Sequence, residues 1–287
     1  MPPRIAIPMP HSADRDYAER AIPQYEQAVQ QAGGVPVRIP LDQTPAQVMR
    51  LIERCDGVLL PGSNADVDPA KFGAPRSPHT AAADPRRDTV DELLLQDAYN
   101  MRKPVLGICY GLQSLNVYRT GSLIQHIPDF LPEELRARVD HEAGKKVAVA
   151  HSVKIEQDSK LAAIVAEEGN EERAGIQECG DSRPRLSNRS QLEGLSGEGK
   201  LLFPVNSSHH QSAGTVGDGL RISACCAEDG IIEALEGTSP DHFVLAVQWH
   251  PERSVAQDEA SRAIFRALVE AAEVRHKQLA DEFEGVK

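Results

Sequence analysis

Aromatic residues are scarce in this chain, at 4% of 287 residues with a single tryptophan. Long apolar runs are missing as well. None approaches the ~18 consecutive residues that a membrane span requires, which argues against an integral membrane protein. Basic charge is in deficit, with 31 Lys and Arg against 43 Asp and Glu and a formal charge of -12. Nucleic acid is therefore a poor partner, because phosphate binding calls for a basic face. The five cysteines are an odd number without framework spacing. Reduced thiols and a cytoplasmic setting are expected from that usage. The N-terminus passes straight into a short apolar strand, without signal-peptide architecture.

What remains is the composition of an ordinary globule, 40% hydrophobic and 26% charged. The length suits one large α/β domain or two small ones. One decorated domain is expected over 1–277, with a flexible insertion at Glu167 to Lys200 and a fraying tail over 278–287. The insertion is rich in Gly, Glu and Arg, poor in apolar residues and without periodicity.

Strand and helix signals alternate through the first half, so a parallel sheet is expected. Arg4 to Pro8, Val35 to Ile39 and Asp56 to Pro61 read as strands. Tyr17 to Ala32 reads as a helix closed by Gly33-Gly34, and Pro45 to Arg54 as a short helix with proline near its first turn. Asp84-Pro-Arg-Arg-Asp88 leads into a helix over Thr89 to Met101, where Asp88, Asp91 and Glu92 suit the positive end. Thr120 to Pro128 is a short apolar segment closed by proline. Lys146 to Ile155 alternates as a half-buried strand, on which His151 reads as a satisfied structural residue. Leu201 to Val205, Leu220 to Ala227, Ile231 to Glu236 and Phe243 to Gln248 read as further strands. Asp229-Gly230 gives a hairpin signal between two of them. Cys225 and Cys226 point to opposite faces of their strand and cannot chelate one metal together. Asp258 to Lys277 reads as a closing amphipathic helix.

The run Lys103 to Tyr118 reads as a buried strand, a sharp turn and a helix, with Cys109 at the apex. Gly107 and Gly111 bracket it as G-x-C-x-G, the thiol form of a nucleophile elbow. The following helix aims its unpaired amides and dipole at the sulfur, favouring a thiolate and later an oxyanion. At the end of another strand, Trp249-His-Pro-Glu252 projects His250 and Glu252 from one side of the chain. Thiol, base and orienting acid form a nucleophilic set if strand ends bring them together.

Five stretches in order resemble the class I glutamine amidotransferase-like superfamily, and within it the γ-glutamyl hydrolases of the peptidase C26 type. They are Pro61 to Pro69, Asp84 to Asp88, Gly107 to Asn116, Asn206 to Gln211 and Val247 to Glu252. The resemblance implies a flavodoxin-like, three-layer α/β domain with a mostly parallel central sheet and a small antiparallel β addition. It implies Cys109 as nucleophile, His250 as general base and then acid, and Glu252 as orienter. An oxyanion hole would come from the amide of Tyr110 with that of Gly62 or Ser63. Asp66, Gln113 and the cluster Asn206, Ser207, Ser208, His209, His210 and Gln211 are the implied substrate contacts. No metal or organic cofactor is implied. The substrate would be a small γ-glutamyl compound such as γ-glutamyl-γ-aminobutyrate, and a homodimer is open to it. Two rivals are a glutaminase subunit delivering ammonia to a partner synthetase and a non-catalytic flavodoxin-like binding or chaperone protein. Tyr110 stands where these hydrolases commonly have arginine, and Ser63 where a second glycine is usual.

Overall fold

The computed structural model describes residues 1–166 and 201–284, so the insertion expected at Glu167 to Lys200 lies outside the described residues. Strands β1 (Arg4–Pro8), β2 (Val35–Ile39), β3 (Gly57–Leu60) and β4 (Val105–Ile108) alternate with helices α1 (Arg15–Gln31), α2 (Pro45–Ile52) and α3 (Pro85–Met101). Helix α4 (Tyr110–Tyr118) follows β4 after a single residue, Cys109. Then come β5 (Leu123–Ile124), β6 (His151–Ile155), β7 (Leu201–Val205), β8 (Ser212–Ala213), β9 (Leu220–Cys226), β10 (Ile232–Gly237), β11 (Val244–Val247) and α5 (Glu259–Glu284).

Nine strands form one sheet in the order β2-β1-β3-β4-β11-β10-β9-β6-β7, while β5 and β8 pair separately. The pairings from β2 through to β11 are parallel, and those from β11 through to β7 are antiparallel. The expected mostly parallel sheet is thus a mixed one. The antiparallel strands are no small addition, because they extend the same ladder from β11 outward. Runs joined by short turns, such as β9 and β10 around Asp229-Gly230, can only pair antiparallel. Gly230 adopts φ +77° in that turn.

The core strands β3, β4 and β11 are each four residues long and buried throughout. Such runs are what a sheet covered on both faces demands. Along β1, Ile5 and Ile7 pack on one side with Ile22, Val29, Phe265 and Leu268 of α1 and α5. Ala6 packs on the other with Val48, Leu94 and Leu115 of α2, α3 and α4. Three layers result. Among the described residues no helix is long and apolar enough to cross a membrane.

Several expected boundaries moved. Helix α3 begins at Pro85 because Asp84 is its N-cap, accepting from the amides of Arg86 and Arg87. Asp88 lies inside the helix and accepts the Tyr110 hydroxyl proton at 2.5 Å. Only His151–Ile155 of the expected Lys146 to Ile155 strand is formed, since pairing with β7 starts at His151 and Val205. Val147 and Val149, assigned to a buried face, are exposed. Within Thr120 to Pro128 the strand is limited to β5, and a helical turn starts at Ile127. Helix α5 continues to Glu284, past the end expected at Lys277. Good helix formers follow Lys277, and no Gly or Pro interrupts them before Gly285.

Candidate active site

The pairing pattern sends the C-terminal ends of β3, β4, β11, β9 and β7 to one edge of the sheet, and β6 and β10 start there. Open α/β sheets place their ligands at such an edge. Cys109 follows β4, Gly62 follows β3, His250 follows β11 and Asn206 follows β7.

Cys109 adopts φ 53° and ψ -106°, a region that residues with a Cβ rarely occupy. Its amide donates to Val247 O at 2.8 Å, which anchors the turn to β11. The bracketing glycines serve close approach. A methyl group on Gly107 would lie 2.8 Å from Gly111 O, and one on Gly111 would overlap Leu60 O. Strand β4 and helix α4 can therefore close on each other, with β3 packed beneath, only where both side chains are absent.

His250 Nδ1 meets Glu252 Oε1 at 2.7 Å, and both residues are buried. That contact fixes the ring and leaves Nε2 for a second partner. Burial alone would lower the histidine, yet the Glu252 carboxylate and a hydrogen-bonding contact with Cys109 push it up to about 9. Burial likewise opposes ionisation of Glu252, and the charge of His250 outweighs it and holds the carboxyl low. Gly62 lies against both His250 and Cys109. A Cβ there would stand 3.2 Å from His250 Cε1 and 3.7 Å from Cys109 Cβ.

The Gly62 amide donates to the Tyr25 hydroxyl at 3.1 Å. Tyr110 is the first residue of α4, where an amide has no intrahelical acceptor. The Tyr110 ring packs with Ala65, Val67 and Leu123, and lies 4.9 Å from the Arg87 guanidinium. Arg87 is fully buried and donates to Asp91 at 2.7 Å, Pro10 O at 3.0 Å and Pro61 O at 2.7 Å. The Asp84 to Asp88 stretch thus braces the ends of β1 and β3.

The substrate contacts implied by resemblance divide into two groups. Asn206 grips the backbone of His250, and Ser207 Oγ donates to Glu233 Oε2 at 3.0 Å. His209 meets Glu233 and Gln211 O, while Gln113 donates to Gln211 O. The Gln211 side chain donates to Gln125 O. These side chains are engaged by the scaffold. His210 is partly exposed and meets Asp66 Oδ1 at 3.1 Å, above the loop that packs on Tyr110. Ser208 is buried beside it in sequence.

Sequence reading missed Tyr17 and Tyr25, which face this edge from α1. Burial raises both phenols, and the charges of Cys109 and Glu252 add to that. Their spacing of eight residues with Ala21 between is a one-face helical signal. It also missed a buried group beyond His250, formed by His141, His151, His209 and Glu233. His151 is buried, as read, with Nε2 3.2 Å from Glu233 Oε1 and Nδ1 3.4 Å from Ser152 O.

Comparison with known proteins identifies relatives across almost the whole length. The peptidase C26 family model matches residues 5–177 and 170–252. A glutamine amidotransferase-like protein of Rickettsia prowazekii is 31% identical over 255 residues, covering 86% of this chain and 87% of that one. The γ-glutamyl-γ-aminobutyrate hydrolase of Escherichia coli K12 is 30% identical over 275 residues, covering 94% of each. The crystal structure of a candidate GMP synthase component from Thermoplasma acidophilum superposes with a TM-score of 0.58 at 14% identity over 98% of each chain, a likeness of fold. With these matches spanning nearly the whole described fold, the chain belongs to the peptidase C26 family of the class I glutamine amidotransferase-like superfamily.

Proposed function

We propose that this protein is a cysteine hydrolase that cleaves the γ-glutamyl amide bond of a small γ-glutamyl compound through a γ-glutamyl thioester. The observation that carries the reading is the 2.7 Å contact of His250 Nδ1 with Glu252, made beside a Cys109 held at positive φ, with Gly62 against both ring and thiol. Cys109 gives its proton to His250 Nε2, forming an ion pair with the ring held charged by Glu252, and the sulfur attacks the γ-carbonyl carbon. As the C–N bond breaks, the imidazolium gives that proton to the departing amine. Water, deprotonated by the same ring, then adds to the thioester, releasing glutamate and restoring the thiol.

Negative charge develops on the carbonyl oxygen in both steps. Because the Gly62 amide is directed at Tyr25, the Tyr110 and Ser63 amides are the donors best suited to meet it. One such donor is typically worth about 3 to 4 kcal/mol of transition-state stabilisation. The His210–Asp66 pair, part-exposed above the Tyr110 loop, suits the α-amino and α-carboxylate groups of the glutamyl head. The E. coli relative's substrate, γ-glutamyl-γ-aminobutyrate, is the compound to try first.

The test is glutamate release from that compound by the isolated chain, with Cys109→Ala alongside. Turnover by the native chain without a second protein, lost in the variant while its circular dichroism is unchanged, is the expected outcome. Undiminished turnover by Cys109→Ala would end the reading.

A further inference from the structure

The buried group beyond His250 has the construction of a metal site. Glu233 Oε1, at the start of β10, is met by three imidazole nitrogens: His141 Nδ1 at 3.0 Å, His151 Nε2 at 3.2 Å and His209 Nε2 at 3.2 Å. All four ligand atoms lie within 4.8 Å of one another, and all four residues are buried. Donor atoms about 2.0 to 2.2 Å from a tetrahedral zinc stand about 3.3 to 3.6 Å apart. The three nitrogens are already near that spacing from Glu233 Oε1, at 3.0 to 3.2 Å, and donors as far as 4.8 Å apart would draw together around the ion.

The remaining polar atoms of these residues are each turned outward onto the protein. His141 Nε2 faces Asp229 Oδ2 at 2.8 Å, His209 Nδ1 faces Gln211 O at 2.8 Å, and His151 Nδ1 faces Ser152 O at 3.4 Å. Glu233 Oε2 accepts from Ser207 Oγ at 3.0 Å. Metal-bound histidines characteristically give their second ring nitrogen to a carbonyl or carboxylate in this way. Those outer contacts have a consequence for the inner atoms. A backbone carbonyl only accepts, so His209 carries a proton on Nδ1 and is held with Nε2 toward Glu233. His151 Nε2 faces the same Glu233 oxygen at 3.2 Å.

We infer that His141, His151, His209 and Glu233 bind one divalent transition-metal ion, with zinc the best match to three imidazoles and one carboxylate in a closed four-coordinate set. The site is separate from the thiol cleft and does not depend on the reaction assigned there. Its role is structural. It ties the start of β6, the start of β10 and the segment before β6 to the 206–209 stretch, whose Asn206 holds the His250 peptide.

The experiment uses the full chain stripped with a chelator, dialysed against Zn2+ and analysed for bound metal. Zinc-edge X-ray absorption and the visible spectrum of the Co2+ form are recorded on the same protein. Binding of about one equivalent per chain, with nitrogen and oxygen scatterers and four-coordinate Co2+ bands, is expected. Zinc should also raise the melting temperature of the native chain and leave that of folded His151→Gln unchanged. A folded native chain that binds no stoichiometric metal would overturn the inference, as would sulfur in the zinc shell or equal binding by folded His151→Gln. Should that variant fail to fold, the absorption edge of the native protein decides alone.

Discussion

Asn206 holds the peptide unit of His250 from both sides. Its Oδ1 accepts the His250 amide proton at 2.8 Å, and its Nδ2 donates to the His250 carbonyl at 2.9 Å. The residue that follows β7 thus fixes the one that follows β11, although β10, β9 and β6 lie between those strands in the sheet.

Asn206→Ala removes both bonds in a buried setting and leaves two backbone groups without partners. A loss of about 2 to 4 kcal/mol in unfolding free energy is expected in urea denaturation. On the γ-glutamyl substrate kcat should fall roughly 10- to 100-fold with little change in KM, because the lost geometry belongs to the base.

Glu252→Gln tests the electrostatics of the pair. His250 stands above its ordinary value, at about 9, so its proton is held throughout the neutral range and lost as pH rises through that value. The stability contributed by the pair is complete between the ordinary glutamate and histidine ranges, fades toward pH 9 as the ring loses its proton, and is lost in acid as Glu252 gains one. Activity should decline on the basic side with the same dependence, since the amine departs only with a proton from the ring. In Glu252→Gln the basic limb of the kcat/KM profile should move to lower pH, with a drop of roughly 100-fold or more at its optimum.

Gly111→Ala places a methyl group against the Leu60 carbonyl, and backbone cannot yield there as a flexible side chain could. Destabilisation of about 3 kcal/mol or more is expected in chemical denaturation. Gly73→Ala is the control. A Cβ at Gly73 meets nothing within 4 Å, so its cost is limited to that of the φ of +68°.

Arg87→Ala should be among the most damaging substitutions away from the thiol. It strands the carboxylate of Asp91, which is itself fully buried, and frees the carbonyls of Pro10 and Pro61. The expected loss is about 3 to 5 kcal/mol, read by thermal or urea unfolding. Arg87→Lys should recover only part of it, since one ammonium group cannot reproduce the three-way fork.

The parallel half of the molecule was legible because each strand there is a short apolar run between recognisable caps. Val35, Gly57 and Val105 begin strands whose residues follow one another in local order. The residues proposed as the triad were singled out for a related reason. Cys109 lies between two glycines and His250 two residues from Glu252, so each stands out by its own neighbours. The reach of the antiparallel half was less visible. Whether β9, β6 and β7 join the main ladder or form a separate sheet depends on pairings across distant sequence, such as Val153 with Cys226.

The linear chain by itself determined the strand and helix alternation, the turn at Cys109 and the short His-Pro-Glu tripeptide. These depend on covalent neighbours and on hydrophobic period, which act over a few residues. Tertiary structure alone decided that Tyr25 takes the Gly62 amide, that Asn206 serves His250, and that three histidines close on Glu233. His141, His151, His209 and Glu233 share no spacing that local physics could detect. They meet because the sheet brings the starts of β6 and β10 and the end of β7 to a common edge, where three buried imidazoles face one carboxylate oxygen.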